Sequence, residues 1–242
     1  MCTVTYIPTS KNNFILTSSR DVPFAREKAL FPKEYLDGDV KITYPKDGKA
    51  SGTWIGHSSK KRLICLLNGG FKNHYVTGNS KTIYRKSRGL IVLDLLKKHD
   101  IYSALNNIDL LEIEPFTLVI VDYASTSSKT NLTDSIIESN TNLQLIEFVW
   151  DGKTKHLKKL PQKNYIWSSA TLYDAKMKHL REDWFADKKE YTSKSILDFH
   201  HKAGNGDSTV AVIMKREKVG TVSITQVCKT NDDILMNYEE IN

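Results

Sequence analysis

Two short runs of this chain are apolar almost without interruption, and they constrain its fold more than any other feature. Leu63-Ile64-Cys65-Leu66-Leu67 carries no polar residue, and Phe116–Tyr123 is apolar and β-branched through its centre. A strand with one wet face alternates in polarity, whereas a strand-length run with no alternation needs cover on both faces. The chain therefore has to build layers around these runs. Strand patterns occur at both ends of the sequence, with helical patterns between them. That order indicates layered α and β structure in one domain spanning residues 1–242.

The remaining elements follow from local signals. Cys2–Ile7 and Phe14–Ser18 read as a hairpin across the turn-rich segment 8–13. Thr53–Gly56 and Arg62–Asn68 read as a second, stopped by Gly69-Gly70. Between them, Pro23, Pro32, Gly38, Pro45 and Gly48 punctuate a polar segment that reads as an extended surface loop. Ser87 is placed to cap a helix over residues 89–98, and a short helix follows near 101–106. Residues 125–142, rich in Ser, Thr and Asn, read as irregular. Leu143–Trp150 and Lys153–Leu160 form a hairpin around Asp151-Gly152, the strongest turn signal present. Helices are expected over 172–188 and 193–202, and a last hairpin over Thr209–Lys215 and Thr221–Val227.

Composition limits the functional classes. A hydrophobic fraction of 40% with 26% charged residues is ordinary for a soluble globular chain. No run approaches the roughly 20 apolar residues of a membrane span, and the N-terminus lacks the pattern of a secretory signal. The formal charge of +7 raises the question of nucleic acid. The lysines are scattered over separate elements without interleaved aromatics, so nucleic acid is not an expected partner, although an anionic ligand suits the balance. Cys2, Cys65 and Cys228 have no metal spacing and cannot all pair. No metal or cofactor is expected, and a reducing cytoplasm is the natural location.

Cys2 is the chemically distinctive residue. Removal of Met1 ahead of a small side chain would leave a thiol and a free α-amine on one carbon. Their reference pKa values are about 8.5 and about 7.7–8.0, so near neutral pH the amine can take the proton of its own nucleophile. The alternative is a small apolar residue beginning an edge strand.

Dispersed motifs add a resemblance. Met1-Cys2-Thr3-Val4, the strand Phe14-Ile15-Leu16-Thr17 leading into Ser18-Ser19-Arg20-Asp21, and Arg26 resemble the NRDE family, also called the transport and Golgi organisation protein 2 family. Gly52-Thr53-Trp54-Ile55-Gly56, Leu66-Leu67-Asn68, Ser87-Arg88-Gly89 and Ser168-Ser169-Ala170 resemble later family segments in the same order. Ser19 and Val22 stand where the family name has Asn and Glu, and Ser169 where the family has Asn.

The resemblance implies an N-terminal nucleophile hydrolase fold: an α+β, four-layer αββα sandwich of two stacked antiparallel sheets flanked by helices. It implies kinship with cysteine-type penicillin and bile-salt acylases, and hence hydrolysis of a small non-peptide amide. By that likeness Cys2 is the nucleophile, Asp21 contacts the α-amine, and Asn68 supports the oxyanion. Arg20, Trp54 and Ser169 are the candidate substrate-binding residues. Arg20 can instead brace the loop of Asp21, Trp54 can be core, and Asn68 before Gly-Gly can be turn chemistry. The competing functional class is a non-catalytic ligand-binding or trafficking protein, handling haem or lipid on the same scaffold. The oligomeric state is left open.

Overall fold

A computed structural model describes residues 2–74, 83–123, 143–204 and 206–241, with the backbone alone at Cys2. The segment 125–142 expected to be irregular lies outside the described residues. Strands β1 (Cys2–Ser10) and β2 (Asn13–Pro23) form the first hairpin. Next come β3 (Leu30–Asp37), β4 (Val40–Lys46), β5 (Ile55–Ser58) and β6 (Arg62–Asn68). Helices α1 (Arg88–Leu96) and α2 (Ile101–Asn107) precede β7 (Phe116–Asp122), β8 (Gln144–Trp150), β9 (Lys155–Leu160) and β10 (Tyr165–Ser168). The chain then runs through α3 (Ala175–Ala186), α4 (Ser193–Lys202), β11 (Val219–Thr230) and β12 (Asp233–Glu240).

All pairings between these strands are antiparallel. One sheet has five strands in the order β10-β1-β2-β11-β12, the other seven in the order β3 to β9. Their facing sides share one core, in which Val4, Tyr6, Phe14, Leu16 and Val227 belong to the first sheet and Leu63, Cys65, Val119 and Val121 to the second. The rings of Phe14 and Tyr123 meet across it at 5.9 Å. Helices cover both outer faces. Phe185, Ile196 and Phe199 of α3 and α4 pack on Ile7 and Ile15, and α1 packs on β5 and β6. This covering explains the two unbroken apolar runs, since β6 and β7 are buried from both sides.

Arg62 fixes α1 to β6 by bonding its last carbonyls. Its guanidinium is 1% exposed and donates to Leu95 O at 3.1 Å and Lys98 O at 2.6 Å, while Asp122 accepts from it at 2.7 Å. A cation on the open carbonyl end of a helix satisfies acceptors that the helix itself cannot.

Two expectations are corrected. The polar segment punctuated by Pro23 through Gly48 is not all surface loop, because β3 and β4 form a hairpin closed by Gly38-Asp39, with Gly38 at φ 62°. Pro32 is tolerated there because β3 is the edge strand of its sheet, and the register shifts between Leu30 and Lys33. The last long hairpin pairs β11 with β12, while 209–215 meets β11 only at its end, through an antiparallel bridge between Lys215 and Gly220 and a bond from Thr221 N to Met214 O at 2.8 Å. Val210 and Ala211 give their carbonyls to the Arg181 guanidinium, at 3.0 Å for Val210, so their acceptors are taken by a side chain instead of a strand. Ser87 is the N-cap of α1 by position, but its side chain makes no capping bond.

Candidate active site

The alternation of β2 sends neighbouring residues to opposite faces. Arg20 faces the seven-stranded sheet, its guanidinium carbon 3.9 Å above the ring of Trp54. Arg20 is also the register partner of Cys2 in β1. The side chain of Cys2 lies outside the described residues. Asp21, one residue on, turns to the helical side and is completely buried. It accepts hydrogen bonds from the Tyr173 hydroxyl and, at 2.6 Å, from Thr221 Oγ1. The Arg181 guanidinium lies 3.8 Å over the Tyr173 ring and donates to Thr3 Oγ1 at 2.6 Å. The Asp21 cluster therefore reaches the residue that follows Cys2.

Burial pushes the Asp21 carboxyl above the usual carboxylate range, against the opposing pull of the Thr221 and Tyr173 hydrogen bonds and the Arg181 charge. Burial and the Asp21 charge drive Tyr173 well above its ordinary value. Tyr173 thus stays the donor of the pair. Further along the same face, buried His200 bridges Thr5 Oγ1 at 2.9 Å and Ser19 Oγ at 2.7 Å. It ties together β1 and β2 of the five-stranded sheet from its helical side.

On the other side of β2 a cavity of about 300 Å³ opens between the sheets and the start of α1. Arg20, Trp54 and Asn68 all line it, together with Arg26, Arg88 and Glu114. Val22, at the position of the Glu in the family name, contributes an apolar wall. Asp47, 5% exposed, joins two of the arginines. It accepts from Arg20, and in a fork from Arg26 Nε and Nη2, each at 2.8 Å. These charge-assisted bonds hold the Asp47 carboxyl below its ordinary value, although its burial works in the opposite direction. Arg88 pairs with Glu114 at 2.9 Å.

Two glycine motifs close one wall. A Cβ on Gly52 would stand 2.5 Å from the Gly89 carbonyl carbon, and one on Gly89 would stand 2.8 Å from Thr53 O. Thr53 N donates to Gly89 O at 3.2 Å. Only glycine permits this backbone approach. Next to Asn68, Gly69, at φ 85°, turns the chain out of β6, and Ser169 Oγ donates to Asn68 O at 3.0 Å.

The candidate residues therefore divide. Arg20, Trp54 and Asn68 meet at the cavity; Ser169 lines an adjoining recess and braces the Asn68 backbone. Asp21 lies behind the sheet. Trp54 is both core and cavity wall, at 5% exposure. His57 lies in β5 and is partly buried, with its pKa lowered by burial to about 4. Among the described residues, no group of three or more His, Cys, Asp or Glu side chains could hold a metal ion. Tyr173, Thr221, Asp47 and Arg181 are absent from the sequence reading. Only Arg181 left a signal there, as a charge one helical turn from Phe185 on the buried face of α3.

Two stacked antiparallel sheets between helical layers are the architecture of the N-terminal nucleophile hydrolase fold. A *Caenorhabditis elegans* N-acylethanolamine-hydrolyzing acid amidase ortholog shares this fold, with TM-score 0.57 and 10% identity over 93% of this chain and 92% of that one. So does the C2A mutant of the conjugated bile acid hydrolase from *Clostridium perfringens*, with TM-score 0.51 and 10% identity over 100% and 92%. The chain belongs to the Transport and Golgi organisation 2 (TANGO2) family, whose model matches residues 1–241. No curated protein matches the sequence significantly. Among the described residues no helix is long and apolar enough to cross a membrane.

Proposed function

We propose that the chain hydrolyses a non-peptide carbon–nitrogen (amide) bond of a small molecule, with Cys2, freed by removal of Met1, as the nucleophile. The observation that carries this reading is the cavity itself: Arg20, the register partner of Cys2, and Asn68 line the same hollow. We read residues 1–242 as one catalytic domain working in a reducing cytoplasm.

The α-amine of Cys2 takes the thiol proton, and the thiolate adds to the amide carbonyl carbon. Negative charge develops on the carbonyl oxygen, where the Asn68 amide donates. The adduct collapses with cleavage of the C–N bond, and the ammonium returns its proton to the leaving nitrogen. Water then hydrolyses the thioester, with the amine again acting as base. Asp21, held by Tyr173 and Thr221 beside the start of β1, orients the ammonium without touching the substrate. Ser169 steadies Asn68.

The test is amine release from a panel of small amides by the wild-type protein and by Cys2→Ala. The expected result is turnover by the first alone, with unchanged circular dichroism in the second. Turnover by Cys2→Ala at the wild-type rate refutes the mechanism. Binding by both proteins with product from neither identifies a carrier, the reading that the departures at Ser19 and Val22 favour.

A further inference from the structure

The charged groups around the cavity do not cancel. Its lining holds three arginines, Arg20, Arg26 and Arg88, against two carboxylates, Asp47 and Glu114. A guanidinium is charged at any pH the protein survives. Both carboxylates are already engaged, Asp47 by Arg20 and Arg26 and Glu114 by Arg88. His74 Nε2 lies 3.1 Å from the other oxygen of Glu114 and adds no negative charge. Among the described residues the formal balance of the lining is one positive charge on a small, half-open surface, where partial exclusion of water strengthens its attraction for an anion.

Resting on the amidase reading, we propose that the substrate is an amide carrying one carboxylate, which is received by the arginine cluster at Arg20 and Arg26. Arg26 is 30% exposed while Arg20 is 5% exposed, so the pair runs from the rim of the cavity to its interior. Asp47 shows what these arginines bind, because it accepts the two-pronged Arg26 fork at 2.8 Å on both prongs. One carboxylate neutralises the lining, whereas a phosphate monoester, with close to two negative charges, would overshoot it. Val22, Pro23, Ala50 and Leu66 furnish apolar wall for the rest of the molecule. A volume of about 300 Å³ suits a ligand at the small end of the usual range.

The probes are N-hexanoylglycine and N-hexylsuccinamic acid, each paired with its near-isosteric primary carboxamide. They place the carboxylate on the amine side and on the acyl side of the amide. Affinity is measured by calorimetry on Cys2→Ala protein, which cannot turn over. One acid at least is expected to bind about tenfold tighter than its carboxamide, a difference of one modest charge-assisted interaction. In the same background Arg26→Gln should abolish the preference and Arg26→Lys should keep part of it, both measured at a temperature where circular dichroism shows the variant folded, because Asp47 loses its fork and Tm falls. Arg85→Gln, which removes a surface charge paired with Asp109, should leave it intact. Equal affinity for acid and carboxamide in both pairs, or no binding of either acid, overturns the proposal. With wild-type protein the two readings separate. Acid preference without amine release retains the carboxylate site and refutes the amidase, while equal hydrolysis of acid and carboxamide does the reverse.

Discussion

Asp21 and His200 carry most of the chemistry hidden beneath the five-stranded sheet, and each has a price set by burial. Asp21 remains useful only while Tyr173 and Thr221 donate to it. Tyr173→Phe removes one donor from a fully buried acceptor and should destabilise the protein by roughly 1–3 kcal/mol in denaturant titrations. It should also lower kcat with KM little changed, because Asp21 does not face the cavity. An unchanged kcat would remove Asp21 from the reaction. His200 is pushed down to about 3 by burial first and the Arg181 charge second. Its folded pKa lies below the ordinary 6.5, so the unfolded chain binds the proton more tightly. The neutral ring's contribution is complete above pH 6.5 and is lost as pH falls toward about 3. His200→Gln cannot titrate, and the stability gap between wild type and variant should be widest near pH 7 and close through this window. Asp21 and His57 are common to both proteins and cancel in that difference. A gap independent of pH would mean that His200 is not buried neutral.

At the scale of elements, the sequence was readable where pattern and environment agree. The run of β6, the helix boundaries of α2 and α4, and the Asp151-Gly152 turn all follow from local chemistry, since each is decided by neighbours in sequence. The β3–β4 hairpin was not readable, because prolines and glycines that mark loops are also permitted on an edge strand. The segment 209–215 looks like a strand by composition, but the carbonyls of Val210 and Ala211 are bonded by Arg181, which is distant in sequence, and only Lys215 makes a bridge. The motifs fared differently. Gly52, Asn68 and Gly89 were visible as short resemblances, but the reason for the glycines is a contact between the loop before β5 and the first turn of α1 that no local pattern encodes. Gly52→Ala puts a methyl group 2.5 Å from the Gly89 carbonyl carbon and must push that loop away from α1. Thermal unfolding should show a loss of about 1–3 kcal/mol, the usual cost of overpacking. Weakened ligand binding should accompany it, since the loop and the first turn of α1 both line the cavity. Wild-type Tm and affinity in this variant would show that the approach is not needed.

Across the whole molecule, two sheets share one core while their strand ends frame the cavity, so the family's scattered motifs meet in space although they lie far apart in sequence. The outer helices do different work. The start of α1 closes the cavity side, and the layer of α3 and α4 covers the face of the five-stranded sheet that holds Asp21. The Cys2 position belongs to the sheet between them, as the residue opening β1. The most direct test of the account is intact-mass and peptide mapping of protein quenched during reaction with an activated ester of the acyl group. The account predicts a chain lacking Met1, with a single acyl group on Cys2 that decays as free acid appears. A chain that keeps Met1 and acquires no adduct, or one acylated at Cys65 or Cys228 instead, contradicts it.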